Sequence, residues 1–486
     1  MLAPRPPATL CAAPPAHLAV DLAFGRFTLA IPHDARMQLA RGWLALGIAA
    51  LAASGLLAVL LVLSRTPWLA KLFPVAGFFH AALVAHVDLS VLVWFVACGG
   101  VLWSLNSTRR WLPLGVAALA LCAAGTATIA VAPFFGGVPI MANYVPVIES
   151  RPFLAGLVLF GAGLVLLVGR GLFASPLVGV RLDGPGALRF GLNGAIVATA
   201  VALLAFAWSY AAVPGALDGK AYYELLFWGG GHVLQFAWTL LLLVAWLLLA
   251  DAVGARVPLS PRVVALLFGI GLACVFATPL VYFAYGVTSV EHHRLQTWMM
   301  RFGGGLAIAP VAVAVAWALW RRARAARARD PRTGPLASAL VASIVLFGVG
   351  GLIGFAIRGS DVRIPAHYHG AIVGVTIAMM GVAYWLLPRL RFAAPMPRVA
   401  TWQPAVYGAG QLLHIVGLVW SGGYGVQRKV ADGAVAERSF EQVAGMGLMG
   451  LGGLIAIVGG MLFVVVVVVA VARRPRGGDR PPDAAP

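Results

Sequence analysis

The sequence predicts an all-α membrane protein, a bundle of twelve transmembrane helices, and three observations predict it. Only 10% of the 486 residues are charged while 61% are hydrophobic, whereas a soluble domain carries about a quarter charged residues. Apolar runs longer than the ~18 residues that cross a bilayer recur along the chain. The runs are built of Leu, Ala, Val and Gly without barrel-like alternation. Inside lipid, only helices and closed barrels satisfy their own backbone hydrogen bonds, so a helical bundle is expected.

The first three spans are expected at 39–63, 75–104 and 112–133, with Arg109 and Arg110 between the second and third. The fourth (152–169) closes on Arg170, and the fifth (190–213) and sixth (225–250) follow, the sixth closing on Asp251. The seventh (261–285) opens at Pro261, and the eighth (297–320) runs into Arg321 and Arg322. The ninth (336–357), tenth (366–388), eleventh (402–420) and twelfth (446–472) complete the set. No repeat or soluble domain interrupts this 39–472 transmembrane unit. Residues 1–38, Pro/Ala-rich with no continuous apolar stretch, read as an N-terminal extension and not as a cleaved signal. Residues 473–486, polar and Pro-rich, read as a disordered tail.

The distribution of positive charge predicts the orientation. The termini and the segments after even-numbered spans hold 24 of the 35 Lys and Arg; the segments after odd-numbered spans hold 11. Cytoplasmic loops carry the excess of Lys and Arg, so both termini are expected in the cytoplasm of a bacterial-type inner membrane. The same loop arginines explain the net charge of +19. No aromatic-basic recognition module accompanies them, and nucleic acid is not an expected partner; membrane lipid is.

On this map, His80 and His86 lie in the first half of span two, and His232 near the start of span six. His292 and His293 follow span seven, and His367 and His369 open span ten. Even spans start outside and odd spans end outside, so all seven fall toward one membrane face. Ionisable groups within spans are costly and usually functional. Imidazole is the commonest metal-binding side chain. A shared layer of metal ligands is the expectation.

The stretch Ala366-His367-Tyr368-His369-Gly370, continuing AIVGVTIAMMGVAYWLLPRL, resembles the tenth helix of subunit I of the heme-copper oxidase superfamily. That resemblance implies the twelve-helix fold of subunit I and two hemes. His367 would be the axial ligand of the high-spin, reactive heme, and His369 would ligate the low-spin heme from the opposite helix face. Residues two apart on a helix point ~200° apart, which suits that division. The second low-spin ligand in the family comes from the second helix, where His86 in Ala85-His86-Val87 matches; His80, on another face, reads as a histidine hydrogen-bonded within the bundle. His292-His293, with His232 in Gly231-His232-Val233, resembles the family's third metal site. Three imidazoles with an open position suit copper or non-heme iron. Gln411-Leu412-Leu413-His414 resembles the eleventh-helix stretch, with two extra residues between Gln and His. Arg428 and Lys429 stand where the family places a basic pair by the heme propionates, or else form an ordinary loop pair. There is no Cys-x-x-Cys-His sequence, so the hemes are expected to be non-covalent; the four scattered cysteines read as small buried residues.

The sequence also departs from the family pattern. Where the commonest oxidases place a tyrosine four residues after the sixth-helix histidine, this chain has Phe236. Tyr285, seven residues or about two helical turns before His292, is expected to share its face and is the candidate replacement. No acid or lysine lies in the inner halves of the spans; Asp88, Glu149, Glu224 and Glu291 lie toward the outer face. That arrangement suits protons entering from outside, as in the related nitric oxide reductases, with Glu291 and Gln235 as the polar groups nearest the metal histidines. Two functions of the same superfamily therefore follow from the resemblance. One is a terminal oxidase reducing dioxygen to water with electrons from cytochrome c or quinol; the other is a nitric oxide reductase. Electrons would arrive through a separate cupredoxin- or cytochrome c-type subunit. A transporter using histidines as a proton relay also fits twelve spans, but such histidines seldom gather as His-His plus His-x-His at one face.

Overall fold

The structure, a computed structural model, describes residues 25–64, 78–179, 182–325, 331–357, 361–424 and 439–475. Arg428 and Lys429, most of the N-terminal extension and the last residues of the tail lie outside the described residues. The chain is helical nearly throughout, so the all-α expectation holds. The elements are α1 (Ala35–Ser64), α2 (Phe78–Leu105), α3 (Leu112–Val131), α4 (Arg151–Ala174), α5 (Gly184–Ala212) and α6 (Gly219–Ala252). They continue as α7 (Pro261–Ala284), α8 (Val290–Ala325), α9 (Gly334–Ala356), α10 (Arg363–Arg389), α11 (Pro397–Gly423) and α12 (Phe440–Ala472). Among the described residues, eleven helices are long and apolar enough to cross a membrane. The protein is a multi-pass membrane protein. The remaining helix, α11, is 27 residues long but is diluted by Arg398, Gln403, Gln411 and His414.

Short connections fold successive helices back on one another, so alternate helices end at the same rim. Arg41 at the start of α1 donates to the Leu390 carbonyl beyond the end of α10 (2.8 Å), and the Thr108 amide after α2 donates to Ala174 at the end of α4 (2.7 Å). Helices α6 and α10 are buried around most of their circumference and form the centre of the bundle. Trp246 of α6 donates to Ser343 Oγ of α9 (2.8 Å), whose hydroxyl donates to the Gly374 carbonyl of α10 (2.6 Å). Nearer the basic rim, Tyr384 of α10 donates to Gln403 Oε1 of α11 (2.9 Å), and Gln403 Nε2 donates to the Gly459 carbonyl of α12 (3.1 Å). Such side-chain bonds satisfy groups that lipid cannot.

Two features were not visible in the hydropathy pattern. One is a hairpin, β1 (Val138–Ile140) paired antiparallel with β2 (Val147–Glu149), between α3 and α4. The other is a pair of π-helical segments, Asp88–Val93 inside α2 and Met299–Gly303 inside α8. A π segment inserts an extra residue into the helix and re-aims the side chains beyond it, often at functional sites.

The start of α8 also differs from the expected 297. The polar run Val290-Glu291-His292-His293 is helical, capped by Ser289, whose Oγ accepts from the His292 amide (3.2 Å). The two histidines therefore open α8 and do not close α7. Ahead of α1, Phe27 is buried, so part of the N-terminal extension packs against the bundle.

Candidate heme and metal site

Seven histidines gather in the half of the bundle opposite the basic rim, and one feature unites them. His86 Nδ1–H donates to the Ser54 carbonyl of α1 (2.9 Å), and that of His232 to the Trp228 carbonyl one turn earlier (2.7 Å). His292 Nδ1–H donates to the Tyr285 carbonyl at a long 3.4 Å, and His293 Nδ1–H to the Ser289 carbonyl (3.1 Å). His367 donates to the Gly350 carbonyl of α9 (2.7 Å), His369 to Gln411 Oε1 of α11 (3.1 Å), and His414 to the Met449 carbonyl of α12 (2.9 Å). A carbonyl oxygen only accepts, so in each ring the proton resides on Nδ1 and the lone pair on Nε2. Metal-ligating imidazoles are oriented and tautomer-locked in this way, with the second nitrogen bonded to an oxygen acceptor.

The rings fall into two groups. His369 of α10 lies against His414 of α11, ring centroids 4.4 Å apart, and His86 of α2 faces it within electrostatic range. His80, by contrast, is exposed and turned away. In the second group, His232 is buried on α6 within electrostatic range of His292 and His293 of α8. Trp228 joins them, its ring centred 4.8 Å from both His232 and His293. His367 turns from the second group toward α9, against Gly354, where an added Cβ would come within 2.8 Å of its ring. As placed, the side chains do not close on a single point: among the described residues no three His, Cys, Asp or Glu form a ready ligand set.

The run Gly229-Gly230-Gly231 makes room around His232. A Cβ on Gly229 would lie 2.2 Å from the Tyr282 hydroxyl, one on Gly230 2.3 Å from Phe206, and one on Gly231 2.1 Å from the Tyr144 ring. Three aromatic side chains thus approach α6 where only glycine permits it. Tyr282 stands edge-on to His292 (centroids 4.6 Å) and its hydroxyl is 2.7 Å from Ser209 Oγ of α5. Tyr144, at the tip of the hairpin, donates its hydroxyl proton to His232 Nε2 (2.9 Å).

The other expected residues are placed as follows. Helix α7 ends at Ala284 and Tyr285 is extended (φ −139°, ψ 133°), so the two-turn argument linking Tyr285 to the His292 face does not hold. Tyr285 meets His292 through its carbonyl, and its side chain is 39% exposed. Glu291 is exposed, whereas its neighbour His292 is buried. Gln235 Oε1 is buried without a hydrogen-bond partner, one turn below His232, as is Asp88 Oδ2 in the π segment following His86. Phe236 is buried, and a Cβ added to Gly303 would lie 3.5 Å from its ring.

Sequence reasoning missed Tyr144, Tyr282, Trp228 and the contact of His414 with His369. The triple glycine beside His232 was the available signal for the three aromatic contacts. It missed the clamp at the start of α10 as well. There Asp361 accepts from the Arg363 amide (2.8 Å) and guanidinium (2.5 Å), fixing the turn that leads to His367 and holding the Asp361 carboxyl below its ordinary range.

Imidazole is a donor suited to a heme iron or a metal ion. Each ring has Nδ1 committed to an oxygen acceptor, the Nε2 of His232 accepts from the Tyr144 hydroxyl, and Gln235 contributes an orphaned buried oxygen. No family model matches the chain. It is 31% identical to an uncharacterized protein of Rickettsia prowazekii (strain Madrid E), over 88% of this chain and 95% of the relative. An uncharacterized protein of Aquifex aeolicus (strain VF5) is 30% identical over 72% of this chain and 85% of its own length. The chain belongs to the family that contains these two proteins.

Proposed function

We propose that this chain is the catalytic subunit of a respiratory terminal oxidase of the heme-copper type, reducing dioxygen to water. The observation that carries the reading is the shared tautomer. Seven buried or half-buried imidazoles, on five helices, each direct Nδ1–H to an oxygen and so carry the lone pair on Nε2, where that of His232 accepts from the Tyr144 hydroxyl. A proton relay has no need of that uniformity, because its imidazoles must alternate between tautomers.

In this reading α11 is the eleventh of twelve spans, both termini are cytoplasmic and the membrane is a bacterial inner membrane. His86 and His369 hold the low-spin heme, His367 the high-spin heme, and His232, His292 and His293 a copper or iron ion beside it. Bound, these groups carry electrons one at a time and supply the place where dioxygen is reduced. The chain's own part is to hold and shield. Ser54 and Gln411 orient the low-spin pair, Gly350 orients His367, and Trp228 packs against both His232 and His293. A cupredoxin- or cytochrome c-type subunit, or quinol, delivers electrons.

A second reading, nitric oxide reduction, is favoured by one observation. Phe236 is buried and apolar where the commonest oxidases have a tyrosine, and the acids Asp88, Glu149, Glu224 and Glu291 lie in the histidine half. The two are separated by giving the reduced, purified protein dioxygen and nitric oxide in turn and measuring turnover of each. A preparation with no heme absorption band sinks both and returns the chain to the transporters.

A further inference from the structure

The hairpin tip brings one oxygen to the metal histidines. His232 Nδ1–H is committed to the Trp228 carbonyl, so the lone pair of Nε2 points along the line to the Tyr144 hydroxyl, 2.9 Å away. Tyr144 is held there from several sides. Its ring stands edge-on to Trp228 (centroids 6.0 Å) and is tilted against His232 (4.8 Å). Gly231 leaves the space its ring occupies. Next to it, Asn143 Nδ2 donates to Glu224 Oε2 of α6 (2.7 Å), tying the tip to the same helix two turns above His232.

An ion bound by imidazole sits about 2.0–2.1 Å from the nitrogen, along its lone pair. An ion on His232 Nε2 would therefore lie on the line already taken by the Tyr144 oxygen, and that oxygen must either leave the site or join the ion. The edge-on tryptophan, the glycine slot and the Asn143 tether all hold it in place. We infer that Tyr144 is an oxygen donor to the non-heme metal of this site, its hydroxyl proton being released to solvent as the ion binds, converting three imidazoles into a set of three nitrogens and one oxygen. This rests on the functional reading above and deepens it. Oxygen donors shift preference from copper toward harder ions, so the resident ion is iron.

The test uses the full chain, purified from cells supplied with both iron and copper. Metals are counted against heme, and the oxidised protein is examined by visible absorption and by resonance Raman with ring-deuterated tyrosine. The expected result is non-heme iron in the wild type, with a tyrosine-to-iron charge-transfer band whose Raman modes shift on deuteration. Tyr144→Phe, which keeps the ring and removes only the oxygen, loses that band and retains about tenfold less non-heme iron after dialysis against chelator. The low-spin heme spectrum reports that the variant is folded. If Tyr144→Phe accumulates poorly, the deuterium-sensitive band of the wild type decides alone. Copper in the wild type, or the same ion in the same amount with no tyrosine band in either protein, overturns the inference and leaves the functional reading standing. Hemes with no third metal overturn both.

Discussion

The two ends of the bundle handle polarity in opposite ways. At the basic rim, arginines direct their donors to the carbonyls at helix C-termini. Arg36 donates to the Ser107 carbonyl just past α2, Arg170 to Thr108 (3.1 Å), and Arg41 to Leu390 just past α10 (2.8 Å). Cations there complement the negative end of the helix dipole. Other arginines stack on tryptophans, Arg389 over Trp385 (4.1 Å) and Arg324 over Trp320 (4.0 Å). These groups are fixed charges whose partners are all internal to the fold. At the histidine end the polar groups are imidazole rings, each bound through Nδ1 to an oxygen, with His232 also held through Nε2 by Tyr144. The first end is finished by its own hydrogen bonds; the second, in the reading proposed above, is finished by bound cofactors.

The sharpest way to break this comparison is to remove a ring from the histidine end. His369→Ala should abolish the low-spin heme signal and lower turnover by about 100-fold or more, as loss of a ligand exceeds the 10–100-fold cost of losing an outer partner. His80→Ala, on the exposed face of the same layer, should leave the spectrum unchanged. An intact low-spin spectrum in His369→Ala would remove that residue from the site.

The next effect should come from an orienting group that touches no cofactor. Gln411→Leu takes away the acceptor of His369 Nδ1–H while keeping the bulk of the side chain. Heme retention should fall by about 10–100-fold, and the low-spin band should shift in the fraction that keeps its heme. A change in protein yield with an unshifted band would mean that Gln411 serves packing alone.

Between the two ends, the core offers a control. Trp246→Phe removes the donor to Ser343 in the contact that joins α6, α9 and α10. Side-chain hydrogen bonds within membrane bundles contribute about 0.6 kcal/mol on average and up to about 1.7. The loss should appear as a modest drop in unfolding free energy in detergent, with the heme spectrum unmoved.

Which parts were legible in the sequence follows the same division. Helix placement depends on apolar runs of bilayer length, so the second span was expected at 75–104 and is helical over Phe78–Leu105. The choice of His86 over His80 rested on the match at Ala85-His86-Val87, and the structure buries one and exposes the other. The opening turn of α8 was missed because hydropathy does not register a polar helix start; Ser289 capping, a local hydrogen bond, creates it. Tyr285 was assigned to the His292 face on the premise of one continuous helix, and a single extended residue ends that continuity. Tyr144 was out of reach for a different reason. It contacts His232 across 88 residues of sequence, and only a tertiary contact of an irregular hairpin brings it there.

The smallest effect belongs to the basic rim. Asp34, just ahead of α1, accepts from Arg36 (2.8 Å) and Arg109 (2.9 Å), and these guanidiniums hold its carboxyl far below the ordinary range. A depressed carboxylate contributes stability that is fully present above its unfolded pKa of about 3.9 and is lost as pH falls toward the folded value. Between about pH 5 and pH 8 the contribution of Asp34 is therefore constant. Asp34→Asn should lower stability by less than about 1 kcal/mol, since partly exposed pairs are screened by water and salt. That deficit should be the same at pH 5 and pH 8 and should shrink only in strongly acidic buffer. Thermal unfolding of the two proteins across that range checks it. A deficit that grew between pH 5 and pH 8 would show that a group other than the Asp34 carboxylate titrates at this rim, since guanidinium stays charged throughout that range, and the contrast between fixed charges here and imidazoles at the other end would fail.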